Sequence, residues 1–141
     1  MTNFGAIPSN IAAKIALASG AVEITGLTTT SATLADITGC TFDVTIPTGR
    51  TGTILALMSV QCSAATATAV GAWAISINSV DKQELRQSLQ TVGVFRSVSV
   101  QGVTTGLSAG TYTVKGRHRR VSGTGTINTG VAQLMALVLL E

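Results

Sequence analysis

The stretch from Leu107 to Arg120, LSAGTYTVKGRHRR, limits what this chain can fold into more than any other. Ala109 and Gly110 make a turn, and a strict alternation follows. Tyr112, Val114, Gly116 and His118 share one face, while Thr113, Lys115, Arg117 and Arg119 share the other. A period of two puts successive side chains on opposite sides of an extended backbone, so this is a strand with one buried and one wet face. The closing run VAQLMALVLL is apolar at both parities, as a central or interface strand is. A Gly/Thr-rich connection, VSGTGTINTG, joins the two. A basic strand, a loop and an apolar terminal strand need partner strands from the rest of the chain.

The rest of the chain supplies them. AVEITGL reads as a first short strand, and Leu34 and Ile37 in the next segment are expected in the core. CTFDVTIP alternates, with Phe42, Val44 and Ile46 on one side and Thr41, Asp43 and Thr45 on the other. Pro47 to Gly52 is a turn, because Pro and Gly break both neighbouring ladders. TILALMSVQC is apolar on both faces. AWAISIN and KQELRQSLQ are joined at Ser79-Val80-Asp81 in a hairpin-like connection, although Leu85 and Leu89, four apart, also fit one helical turn. VGVFRSVSVQG sets Val92, Val94, Arg96, Val98 and Val100 on one side and Phe95 on the other. Roughly eight to ten short strands spaced by Gly/Thr/Ser turns make an all-β sandwich or barrel. Two four-stranded sheets in a jelly roll suit one domain over residues 21–141.

Residues 1–20 have another texture. Pro8-Ser9-Asn10 opens a short helix with Ser9 or Asn10 as its cap, Ile11, Ile15 and Ala18 share a face, and Gly20 ends it. A helix this short is marginal alone. Phe4, Ile7, Ile11 and Ile15 are too apolar for a solvated tail, so the segment is expected to be an arm that docks on a neighbour.

Charge narrows the partners. Only 11% of the residues are charged, against about 25% in an ordinary soluble domain, so much of the surface is expected to face other protein chains. The net charge is +3, and Lys115, Arg117, Arg119 and Arg120 concentrate it in one strand. That strand is a candidate contact for an acidic partner; a solvated outer face is the other reading. Nucleic acid is not an expected partner, because Tyr112 is the only aromatic nearby and no recognition helix accompanies it. Thr51 to Val80 carries no charge and is long enough to span a bilayer, but its Gln61, its Ser and Thr and its alternating close indicate strands, so no membrane is expected. MTNFGAIPSN lacks the charged and apolar regions of a signal peptide, so synthesis in the cytoplasm without secretion is expected.

Catalytic and metal templates find no match. His118 is the only histidine, and a lone strand histidine rarely catalyses. No GxSxG elbow occurs. Glu23, Asp36, Asp43, Asp81, Glu84 and Glu141 form no pair at one strand end; Asp81 and Glu84, interleaved with Lys82 and Arg86, read as a solvated hairpin tip. Gly49 to Gly52 is too short for a phosphate loop, and Gly123 to Gly130 lacks its lysine and following helix. Cys40 and Cys62 show no metal-ligand spacing and are expected reduced and half-buried. No enzyme activity, cofactor or metal is expected.

DITGCTFDV, TILALMSVQC, AISINSVDKQE, LSAGTYTVKGR and the apolar terminal strand, in this order, resemble small jelly-roll domains of tailed-bacteriophage virion proteins, which are similar in outline to the trimeric tumour-necrosis-factor/C1q-like fold. The most specific piece is L-x-A-G-x-[YH]-T-V-K, here Leu107 to Lys115. The resemblance implies a homotrimer whose apolar strand faces meet at a threefold axis, with Leu134, Met135, Leu137 and Leu139 on a trimer or core strand. The aromatics that fill the centre of the animal members are missing, so receptor signalling is not implied. A chain starting at Met1 with only a short arm suits a capsid decoration (cement) protein. It would sit on the outside of the phage head, bind the major capsid protein through Phe4, Ile7, Ile11 and Ile15, and stabilise the shell. The alternative is a head-fibre or tail-tip knob that binds a host glycan, with Trp73, the only Trp, as its aromatic platform.

Overall fold

A computed structural model describes the backbone of residues 15–141 and the side chains of residues 22–141. The strands are β1 (Ile15–Thr29), β2 (Ala35–Ile46), β3 (Gly52–Ala64), β4 (Ala69–Ile77), β5 (Val80–Asp81), β6 (Leu85–Leu89), β7 (Arg96–Leu107), β8 (Gly110–Gly123) and β9 (Ile127–Leu140). A first sheet runs β1-β9-β3-β7, and a second runs β2-β8-β4-β5 with β6 also on β4. Every strand-to-strand ladder is antiparallel. Because β5 pairs with the end of β4 and β6 with its start, the two act as one edge strand broken at 82–84. Consecutive strands therefore alternate between sheets everywhere except the β4–β5 hairpin, which is the jelly-roll arrangement of an all-β sandwich.

Two expectations change. Ile15 to Gly20 lie in strand β1, where Ile15 opposes Leu139, so the domain takes in residues expected to form an arm and the end of a helix. The first part of that segment, with Phe4, Ile7 and Ile11, falls outside the described residues. The Leu85 to Leu89 segment is strand, not a helical turn, since β4 offers it a ladder from Ala69 to Trp73.

The core follows the alternation. Ile54, Ala56, Met58, Val60 and Cys62 of β3 and Ala132, Leu134, Ala136 and Val138 of β9 point inward. Ile37, Val44 and Ile46 of β2 and Val114 of β8 meet them from the second sheet. The uncharged run from Thr51 to Val80 is thus mostly two core strands. No helix among the described residues is long and apolar enough to cross a membrane.

Space is tight at the centre. A Cβ on Gly116 would lie 2.6 Å from Met58 Sδ and 2.7 Å from Cys40 Sγ, so glycine there admits two sulfur-bearing side chains. The β4–β5 turn, Asn78-Ser79, has φ of 51° and 65°, as a two-residue type I′ hairpin requires. It sits one residue earlier than the sequence suggested.

Candidate functional site

The outer face of the first sheet is the most unusual surface of the molecule. It is built by the residues of β3 and β9 that the core does not use. In β3 these are Leu55, Leu57, Ser59 and Gln61; in β9 they are Val131, Gln133, Met135, Leu137 and Leu139. Cross-strand register sets them in rows. Leu55 opposes Leu137 and Val103, and Leu57 opposes Met135 and Gln101. Ser59 opposes Gln133 and Ser99, and beyond them Gln133 opposes Glu23 of β1. One half of the face is therefore apolar and the other uncharged polar, apart from Glu23. Leu57, Val103, Met135 and Leu139 are 42, 49, 49 and 38% exposed. A groove of about 570 Å³ lies where the halves meet, walled by Leu57 and Met135 and rimmed by Glu23, Ser59 and Gln133. The Gln133 amide donates to Glu23 Oε2 at 2.5 Å.

Of the four β9 residues expected on a trimer or core strand, Leu134 is core at 1% exposure, and the other three lie on this outer face. The double apolar parity of β3 and β9 thus has two causes, a core and an uncovered sheet face.

The second sheet's outer face is different in kind. Lys115 Nζ lies 2.8 Å from Asp36 Oδ2. Arg117 Nη1 donates to Asp81 Oδ2 at 2.6 Å, and its Nε approaches Asp36 Oδ1 at 3.1 Å without the alignment of a hydrogen bond. Arg119 forks onto Glu84, with Nε to Oε2 at 2.7 Å and Nη2 to Oε1 at 2.8 Å. Arg120 Nη1 instead donates to the carbonyls of Thr124 and Gly125. Hydrogen bonds from Arg119 hold the Glu84 carboxyl down to about 2, and the Lys115 ammonium lowers Asp36. The basic strand expected to meet an acidic partner has most of its charge answered from within. Asp81 and Glu84 are part of this lattice, not a solvated hairpin tip. Sequence reading missed it because β2 and the β5–β6 edge bring in their acids from far along the chain.

Between the sheets lies a small polar chain. Trp73, His118 and Thr129 are 0, 4 and 0% exposed. The indole Nε1–H donates to Thr129 Oγ1 at 3.2 Å, and His118 Nδ1 lies 3.0 Å from the same oxygen. A neutral imidazole protonated on Nε2 can accept the Thr129 proton at Nδ1. Burial lowers its pKa to about 4. The indole is sealed inside the sandwich, so Trp73 offers no platform for a sugar. Cys40 and Cys62 are free and fully buried, not half-buried as expected; burial pushes their thiols up to about 11 and about 12.

A last feature escaped sequence reading. Val92 and Val94 were expected in a strand, but β7 starts only at Arg96. The loop before it presents Val92, Val94 and Phe95 at 48, 41 and 50% exposure. Gly93 N–H donates to the Ala64 carbonyl at 2.9 Å, and the positive φ of 75° at Gly93 lets the chain turn there. The Phe95 ring covers Gly130, where a Cβ would come within 2.9 Å of Cε1.

These features define a jelly-roll β-sandwich with one charge-paired outer face and one largely apolar outer face. Comparison with known proteins gives no matching family and no matching curated sequence. Among solved structures the chain is similar to the insecticidal delta-endotoxin Cry8Ea1 from Bacillus thuringiensis, with 10% identity and a TM-score of 0.46 over 77% of this chain and 19% of that one. It is similar to a protein of infectious bursal disease virus, Gx strain, with 11% identity and a TM-score of 0.41 over 86% of this chain and 36% of that one. It is also similar to a family 35 carbohydrate binding module from Clostridium thermocellum, with 12% identity and a TM-score of 0.36 over 81% of this chain and 90% of that one. The chain spans less than a fifth of the toxin's length. At these values the likeness is one of outline and carries no argument about function.

Proposed function

We propose that this chain is a structural virion protein, a homotrimeric jelly-roll module that decorates and stabilises the outside of a tailed-phage head. The observation that carries the reading is the cluster of Leu57, Val103, Met135 and Leu139, large apolar side chains left 38–49% exposed on one face of a sheet. Contiguous apolar surface of this kind marks a contact with protein. The sandwich supplies the module, its apolar face the contact between copies, and residues 1–14 the reach to the major capsid protein. The chemistry is assembly, with no catalytic step and no cofactor.

The test has two parts. Light scattering and native mass spectrometry of the purified protein are expected to give a trimer. Sedimentation with heads of the source phage is expected to carry the full chain down and to leave a variant lacking residues 1–14 in the supernatant as a folded trimer. A monomer that does not bind heads would overturn the reading.

A further inference from the structure

We propose that the copies join head to tail, with the Val92–Phe95 loop of one copy seated in the Leu57/Met135 groove of the next. The inference rests on the self-assembly reading and adds the two surfaces that meet.

The loop has the properties of an anchor. It is tied to the core strand β3 through Gly93 and Ala64, and the Phe95 ring is propped on Gly130. It therefore presents three half-exposed apolar side chains without having to order itself on contact, which lowers the entropic cost of association. The groove has the properties of a receptacle. Its volume of about 570 Å³ falls within the range of concave sites that bury an apolar group, and Leu57 and Met135 wall it.

Area argues that a flat contact of apolar surface alone is not enough. Four strands about 4.8 Å apart and twelve residue steps of about 3.4 Å, the length of β3, make the outer face roughly 19 by 41 Å, about 800 Å², of which the apolar half is only about 400 Å². A stable interface takes about 800 Å² from each partner. A protruding loop sunk into a groove raises the buried area beyond what two flat sheets provide.

Charge selects a second copy as the occupant. Arg96 follows Phe95 directly and is exposed, and Glu23 stands on the rim of the groove. Neither has an ion-pair partner among the described residues, whereas Asp36, Asp81 and Glu84 each do. A cation beside the loop and an anion beside the groove, each without an ion-pair partner among the described residues, complement each other between copies. Different patches meeting in this way form a heterologous contact, which closes as a ring when the rotation permits, and a trimer is such a ring.

A charge swap on the full chain tests this. Arg96→Glu and Glu23→Lys are each expected to weaken assembly at least tenfold by sedimentation equilibrium, and the double variant to recover to within about threefold of wild type. Phe95→Ala is expected to yield monomer. Trp73 emission at the wild-type wavelength checks that each variant is folded, since the indole is fully buried. Wild-type assembly by both single charge variants, or a double variant no better than the singles, would overturn this contact while leaving self-assembly standing. A monomeric wild type would overturn both.

Discussion

Acidification from pH 7 to pH 4.5 should remove a defined part of the stability, and His118 should be the cause. A histidine in the unfolded chain titrates near 6.5, and burial brings this one to about 4 in the fold. Between those values the unfolded chain takes up a proton that the native one refuses. The contribution is therefore fully present above pH 6.5, falls as the pH drops, and is exhausted near pH 4. A difference of about 2.5 units at about 1.36 kcal/mol each gives roughly 3 kcal/mol, a large share of a small domain's total. Urea unfolding at one fixed protein concentration, followed by Trp73 fluorescence at several pH values, measures the slope. His118→Asn places an amide oxygen near Nδ1 without a titrating group, and its stability should be nearly flat from pH 7 to pH 5. A flat wild-type profile, or an equal slope in the Asn variant, would refute the reasoning.

Other outcomes follow from the same structure. Gly116→Ala should lower stability by about 1–3 kcal/mol in urea unfolding, because the new methyl meets Met58 and Cys40 in a packed centre. Ser79→Gly should raise the unfolding midpoint, by about 0.5–1 kcal/mol in free energy, since φ is 65° there and glycine adopts that conformation without strain. Native protein should not react with a thiol-specific disulfide reagent at pH 8, while urea-unfolded protein should titrate two thiols, matching the buried Cys40 and Cys62. Glu84→Gln should cost about 1 kcal/mol at neutral pH and less as the pH falls towards 2, because the wild-type carboxylate itself becomes protonated there.

Much of the fold was legible because alternation is a local property. The two faces of β8, the inward set of β2 and the jelly-roll class all follow from residue parity. The site was less legible for the opposite reason. Whether an apolar run is apolar twice over for a core or for an open face depends on which side the second sheet covers, and Leu134 and Met135 are adjacent in sequence yet lie on opposite sides of that division. The acids that answer Lys115, Arg117 and Arg119 come from two distant places in the chain, β2 and the β5–β6 edge. Trp73 looked available because nothing in AWAISIN distinguishes a sealed β4 from an exposed one. The start of β7 at Arg96 was missed because the valines before it continue the alternation without continuing the ladder.

The segregation of the two outer faces makes ionic strength a selective tool. Added sodium chloride should loosen the arginine–carboxylate lattice on one side and screen the Arg96–Glu23 pair between copies, while leaving the apolar part of the adhesion almost unchanged. Sulfate, excluded from nonpolar surface, should tighten that adhesion. Copies joined through the apolar face would keep that contact in brine, and would separate more readily in a chaotropic salt of the same concentration.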